Sequence, residues 1–228
     1  MLTLYQKIAV LALPILFAIT VHEAAHGWMA KRLGDRTAEM LGRVSLNPLK
    51  HIDPIGTILV PLLVFFMSGF VFGWAKPVPV NYRNLHHPRR DSALVALAGP
   101  VANLIMALLW ALAILLGVAL MQSTQWFAVP LILMGVAGVL FNTVLMALNL
   151  LPILPLDGGR VLNSLLPPKM ALVYSRLEGY GLIIVVILLA TGLLGYVLWP
   201  LVGLTISLLP ATDVVLQYAQ VILGSTRS

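Results

Sequence analysis

The chain has 228 residues, 60% of them hydrophobic and 10% charged, with a mean hydropathy of +0.99. Soluble domains carry about 25% charged residues, so this composition excludes one and indicates a polytopic membrane protein. The net charge of +6 comes from 14 Lys and Arg against 8 Asp and Glu. The basic residues lie in inter-helical loops, which speaks against a nucleic-acid partner and fits the cytoplasmic-loop excess of membrane proteins. With no cysteine, disulfides and thiolate ligands are excluded, and any metal must be held by His, Asp or Glu.

Residues 4–32 read as the first membrane helix, kinked at Pro14 and leaving the bilayer at Lys31, Arg32 and Arg36, the basic end that belongs in the cytoplasm. No small-residue cleavage site follows this apolar run, so it reads as a mature span. Near its basic end stands His22-Glu23-Ala24-Ala25-His26. On a helix of 3.6 residues per turn the two histidines share a face and can reach one ion, while Glu23, about 100° around, stays free to take a proton from water. A charge within a span costs about 2.5–3.5 kcal/mol on insertion scales, so three clustered polar groups there indicate function.

Residues 34–54 break the apolar pattern. Arg43-Val44-Ser45-Leu46 alternates like a short strand, and Asn47-Pro48 and Asp53-Pro54 are turn signals, so a small β-like or re-entrant element is expected beside the first helix. His51 and Asp53 read as turn or capping residues. The run 55–73 is apolar but broken by Pro61 and Gly69, and 74–80 reads as an extended interfacial segment. His86 and His87, being adjacent, read as surface residues. Asp91 or Ser92 is expected to cap a long helix to about Met121, in which Gly99-Pro100-Val101-Ala102-Asn103 suits close helix contact and an inter-helical hydrogen bond. A helix from about Trp126 to Leu151 follows the uncharged turn 122–125, with Gly135 and Gly138 for close approach and Asn142 and Asn149 as its strongly polar groups. Pro152 and Pro155 then break the backbone ahead of Asp157-Gly158-Gly159, an irregularity tolerated at membrane depth only beside protein or a water-filled cavity. Tyr180 to Trp199 reads as a further span, and 201–223 as a sixth span or an interfacial helix. The expected fold is therefore all-α, with about five to six transmembrane helices.

A catalytic zinc commonly has three protein ligands and an open position. Asp35 and Glu39 follow His26 too closely to return to it without a sharp reversal, Asp91 and Asp213 look like caps, and Glu178 lies at an interface. Asp53 remains possible. Asp157, in a broken segment with glycines behind it, is the best physical candidate.

HEAAH in a first apolar helix, paired with NLLPILPLDGG at 149–159, resembles the site-2 protease family of intramembrane zinc metalloproteases, whose signatures are H-E-x-x-H and N-x-x-P-x-x-x-x-D-G. GPVAN resembles that family's small-residue motif. The resemblance covers most of residues 15–165 and is closest to the short, PDZ-free bacterial and archaeal branch. It implies one zinc ion per chain bound by His22, His26 and Asp157, with Glu23 as general base and Asn149 helping to hold the substrate or the oxyanion. A single transmembrane metalloprotease domain is expected over 1–228, with core 4–165 and C-terminal helices 178–223; in contrast to the better-known members of that family, the sequence reads as having no PDZ or other soluble domain and carries extra sequence over roughly 40–90. The implied setting is the cell membrane, with the site toward the cytoplasm and a transmembrane protein as substrate. The rival class is a non-enzymatic metal-binding membrane protein or metal transporter, which would distribute its His and acids along a pathway.

A metal site of this composition constrains topology. His22, His26 and Asp157 meet only if the helices ending near Arg32 and Asn149 run parallel, so 55–73 with its flanks is expected to make no net crossing. All nine basic residues from Lys31 to Arg90 are then cytoplasmic, and the turn 122–125 is external.

Overall fold

A computed structural model describes residues 3–59 and 76–223. The first helix, α1 (Leu4–Arg32), opens on a capping box in which Thr3 and Gln6 exchange backbone and side-chain hydrogen bonds, and it runs unbroken through Pro14. Lys31 and Arg32 occupy its last turn, where cations complement the exposed carbonyls. A single helical turn, α2 (Thr37–Met40), follows.

The expected β-like element is not a strand: among the described residues no strand occurs, and Arg43–Asn47 is bent, extended chain. Side chains hold it instead of a ladder. Arg43 Nη2 donates to the Lys76 and Pro77 carbonyls at 2.9 and 3.3 Å, and buried His51 reaches the Ser45 carbonyl through Nε2 at 2.9 Å. Asp53 Oδ1 caps the π-type turn Pro54–Leu59, accepting from the Ile55 and Gly56 amides, the turn role expected for it. Most of the 55–73 run lies outside the described residues. Its two ends still report on its course, because the His86 N–H donates to the Leu33 carbonyl at 2.9 Å. The chain thus leaves α1 and returns to the same end of it.

Asp35 secures that return. Fully buried, its carboxylate accepts from the Thr37 amide and hydroxyl, the Asn84 side chain and the Asn81 amide, at 2.5–3.1 Å. Burial alone would raise its pKa, yet these donors outweigh it and hold the carboxyl below its ordinary value.

Helix α3 (Pro88–Leu120) begins earlier than expected. Asp91 is buried in its first turn and folds back to accept the His87 N–H at 2.8 Å, while His86 and His87 are exposed as foreseen. Helix α4 (Gln125–Asn149) follows a short turn. Gly135 and Gly138 lie against Ile114 and Trp110 of α3, so α3 and α4 run antiparallel. Asn103 bonds the Ala18 carbonyl and His26 bonds the Val95 carbonyl, so α1 and α3 are antiparallel too, and α1 and α4 are parallel. About two thirds of the apolar window of α4 is buried, against one third for α1. Val136, Ala137, Val139 and Ala147 make α4 the core of the bundle.

Beyond the proline-containing loop 150–156 come α5 (Asp157–Leu165), α6 (Pro168–Ser175), α7 (Glu178–Ala190), α8 (Leu193–Ser207) and α9 (Thr212–Leu223). The span expected over 180–199 is two helices: Gly192, at φ 75°, ends α7, whereas Pro200 lies inside α8. Helix α9 folds back on the bundle, burying Val215 and Ile222. At about 18 Å, its 12 residues are too short to cross. The described helices therefore supply three candidate spans, α1, α3 and α4, or four if α6 and α7, bent by 63°, count as one, rather than five to six.

Candidate metal centre

Three elements deliver the expected ligands. Helix α1 presents His22 and His26 on one face, and α4 carries the chain to the end where α1 terminates. The loop 150–156 then reverses it so that Asp157 opens α5. The loop's freed carbonyls are satisfied: Pro152 O accepts the Tyr174 hydroxyl at 2.8 Å and Pro155 O accepts Arg160 Nε at 3.3 Å. Gly158 and Gly159 lie flush against backbone atoms of Leu150 to Leu154, leaving no room for a Cβ, so the DGG sequence packs α5 onto the loop.

His22, His26 and Asp157 converge. Asp157 Oδ2 is 3.3 Å from each imidazole Nε2, and the two Nε2 atoms are 3.1 Å apart. His22 and Asp157 are buried. The second nitrogen of each ring is already used: His22 Nδ1–H donates to Asn103 Oδ1 at 2.5 Å and His26 Nδ1–H donates to the Val95 carbonyl at 2.8 Å. The Asn103 orientation is fixed in turn, because its Nδ2 donates to the Ala18 carbonyl and to Asn142 Oδ1. With Nδ1 of each ring so engaged, Nε2 is the nitrogen that each imidazole turns toward Asp157. Asp157 Oδ2 is buried with no hydrogen-bond donor. Three possible ligand atoms thus face one another in a buried site, a grouping that a cation among them would satisfy. A tetrahedral zinc with bonds of about 2.0–2.1 Å spaces its ligands by about 3.3 Å, so the donor set fits that ion.

Space for an ion also depends on α3. A Cβ at Gly99 would lie 2.5 Å from His26 Nε2 and 2.6 Å from His22 Cε1. Gly99 and Asn103, one helical turn apart, thus respectively clear and orient the site. The sequence marked both for helix contact; their partners are the histidines themselves. Glu23 stands beside the cluster, and its Oε2 accepts the Val78 N–H at 2.8 Å. Asn149 is not brought into the cluster by its bonding: its Nδ2 donates to the Leu145 carbonyl one turn back, at 2.9 Å. His51 and Asp53 lie outside the group that could hold a metal.

Apolar membrane-length helices enclosing two histidines and a carboxylate that could hold a metal ion, with a glutamate alongside, define a polytopic membrane protein with a candidate metal centre. The chain belongs to peptidase family M50, whose family model matches residues 10–133. It is 40% identical over 194 residues, 85% of each chain, to "Putative zinc metalloprotease YwhC" of Bacillus subtilis. It is also similar to proteins carrying the same designation under the name Rip2: 33% identical in Mycolicibacterium smegmatis, over 77% of this chain and 64% of that one, and 29% identical in Mycobacterium tuberculosis, over 76% and 63%. No solved structure matches the chain. Membership of the family and the apolar helices identify a membrane metalloprotease, and the relatives' names indicate zinc.

Proposed function

We propose that the protein is an intramembrane zinc endopeptidase of the site-2 protease type, hydrolysing a peptide bond in or near a transmembrane segment of a membrane protein, with the site on the cytoplasmic side of the cell membrane. The observation that carries this reading is the convergence of three lone-pair atoms, one of them on a buried carboxylate without a donor. His22, His26 and Asp157 would hold one zinc ion, which when bound acidifies water and polarises a carbonyl. Asn103 and the Val95 carbonyl keep each histidine in the tautomer that offers Nε2. Glu23, outside the ligand set, accepts the proton of the attacking water and returns it to the leaving amine. Asn149 retains its carbonyl oxygen and can swing its amide toward substrate once the bond to Leu145 is given up.

A helical substrate hides its carbonyls in i to i−4 bonds and has to unwind before cleavage. A groove of about 360 Å³ supports such a step. It lies between Val21, Ala24, Ala25 and Trp28 of α1 and the extended Val44-Ser45-Leu46, where an unwound peptide can add alongside an extended edge.

Glu23→Gln tests the reading. It is expected to abolish cleavage while zinc content stays at one per chain, and membrane proteins that accumulate in Glu23→Gln cells are the candidate substrates. Undiminished turnover with Gln at 23 would overturn the assignment of the base, whereas metal flux that persists in Glu23→Gln would favour transport.

A further inference from the structure

The segment Lys76-Pro77-Val78-Pro79-Val80 lies across α1 at the metal centre, and its backbone is built for one contact. We propose that the main-chain N–H of Val78 is the positioning group of Glu23, holding Oε2 so that the other carboxylate oxygen faces the attacking water. The proposal rests on the reading of Glu23 as general base.

Four observations carry it. First, the Val78 N–H donates to Glu23 Oε2 at 2.8 Å across 55 residues of sequence. Second, Pro77 and Pro79 have no N–H, so from 77 to 79 this amide is the sole backbone donor, and it is spent on the glutamate. Third, the segment is stiff before it is bound. Proline rings fix φ at 77 and 79, and the residue before a proline is confined to extended conformations, which restrains Lys76 and Val78. Fourth, the segment is tied on both sides of the contact. The Lys76 N–H donates to the His51 carbonyl at 2.9 Å, Arg43 grips the Lys76 and Pro77 carbonyls, and the Asn81 N–H donates to Asp35 at 2.7 Å. Val78 itself is buried against Gly27, where an added Cβ would come within 3.0 Å of its Cγ1. Glu23 and Gly27 are one turn apart on α1, so the helix face that carries the base also seats the residue that aims it.

A carboxylate on a flexible side chain samples several rotamers, and a strong donor fixed to one oxygen selects among them without protonating the group. The donor is a backbone amide, so no substitution at 78 short of proline removes it, and proline would also constrain the backbone there. Its loss is expected to lower kcat with KM unchanged, because it acts on the reacting water and not on substrate binding.

The first test uses the full-length, metal-free protein in detergent and follows amide hydrogen exchange over 76–80, where the prolines leave only the Lys76, Val78 and Val80 amides to report. In Glu23→Ala the Val78 amide is expected to exchange roughly tenfold to a hundredfold faster than in the wild type, with Lys76, bonded to His51, unchanged. Equal exchange at Val78 in both proteins overturns the proposal. The second test replaces Val78 by its α-hydroxy analogue, which exchanges the N–H for an ester oxygen and keeps the isopropyl group. The infrared carboxylate band of Glu23, assigned by its absence in Glu23→Gln, is expected to move, and kcat on a substrate identified by the Glu23→Gln comparison is expected to fall with KM held. An unmoved band, or a kcat that rises because the segment was obstructing the site, refutes positioning. If Glu23→Gln itself retains turnover while the band moves, the base assignment has failed and the contact stands.

Discussion

Gly99→Ala adds one methyl group, and its consequence follows from distances. The new Cβ would sit 2.5 Å from His26 Nε2 and 2.6 Å from Cε1 of both His22 and His26, where ordinary contacts begin at 3.4 Å. Relief requires an imidazole to retreat by about 0.9 Å (3.4 − 2.5) or α3 to back away from α1. Neither is easy: His22 is tied to Asn103 and His26 to the Val95 carbonyl, both on α3 itself. Metal–ligand distances tolerate about 0.2 Å, so one Nε2 is withdrawn from any ion. Disturbing supports of a ligand alone costs about 10–100-fold in metal affinity, and displacing the ligand is expected to reach at least the upper figure, about 2.7 kcal/mol. Overpacking adds about 1–3 kcal/mol of destabilisation, which leaves a helical bundle to measure. The assay is zinc content of the purified protein by mass spectrometry, with chelator competition for affinity and circular dichroism as a control for folding. One zinc per chain at wild-type affinity would refute the placement of Gly99 between the histidines.

Asn103→Leu should lower zinc affinity about 10–100-fold through loss of the His22 tautomer, measurable by the same competition; an unchanged affinity would mean that the α1–α3 hydrogen bond orients nothing. Asp35→Asn turns an amide toward donors that now meet a carboxylate and is expected to cost about 1–3 kcal/mol, read as a lower thermal midpoint with zinc content retained. Because the folded-state pKa of Asp35 is depressed, its stabilisation is full above the unfolded value near 4 and is lost as pH falls below that. Wild type and Asp35→Asn should therefore differ in stability at pH 7 and converge in acid. Since the chain has no native cysteine, single cysteines can map its sidedness. One placed in 83–90 should resist an impermeant reagent applied to intact cells and one in 122–125 should react; strong external labelling at 83–90 would overturn the orientation.

The candidate histidines were legible because a metal site imposes spacing, His22 and His26 being one helical turn apart. For the third group, proline-broken backbone left both Asp53 and Asp157 open, and the resemblance carried by NLLPILPLDGG pointed to Asp157, which the fold brings to the two histidines. The parallel course of α1 and α4 followed from the same requirement. What periodicity could not supply was the partner of each polar group. Asn103 announced a hydrogen bond between helices but not that His22 would be its partner, and Gly99 announced closeness without saying to what. Asp35 was passed over as too near His26 to bind the same ion; its role, gathering Thr37, Asn81 and Asn84, depends on residues up to 49 positions away. Arg43–Leu46 alternates as strands do, yet side chains and not a neighbouring strand hold it extended. In 180–199 the apolar run concealed a break, because a glycine in a hydrophobic stretch carries no hydropathy signal of its φ.

The Leu33–His86 bond has a consequence for how such a protein can change over generations. Its two residues form a neck at which the chain leaves the bundle and re-enters it, while α1 and α3 keep their register through His26, Val95, Ala18 and Asn103. Closing a longer loop costs little, about 0.6 kcal/mol per doubling of its length. Insertions in the excursion beyond the neck are therefore expected to be tolerated where they spare 76–81, whose amides reach Glu23 and Asp35, because the contacts that align α1 with α3 lie outside it.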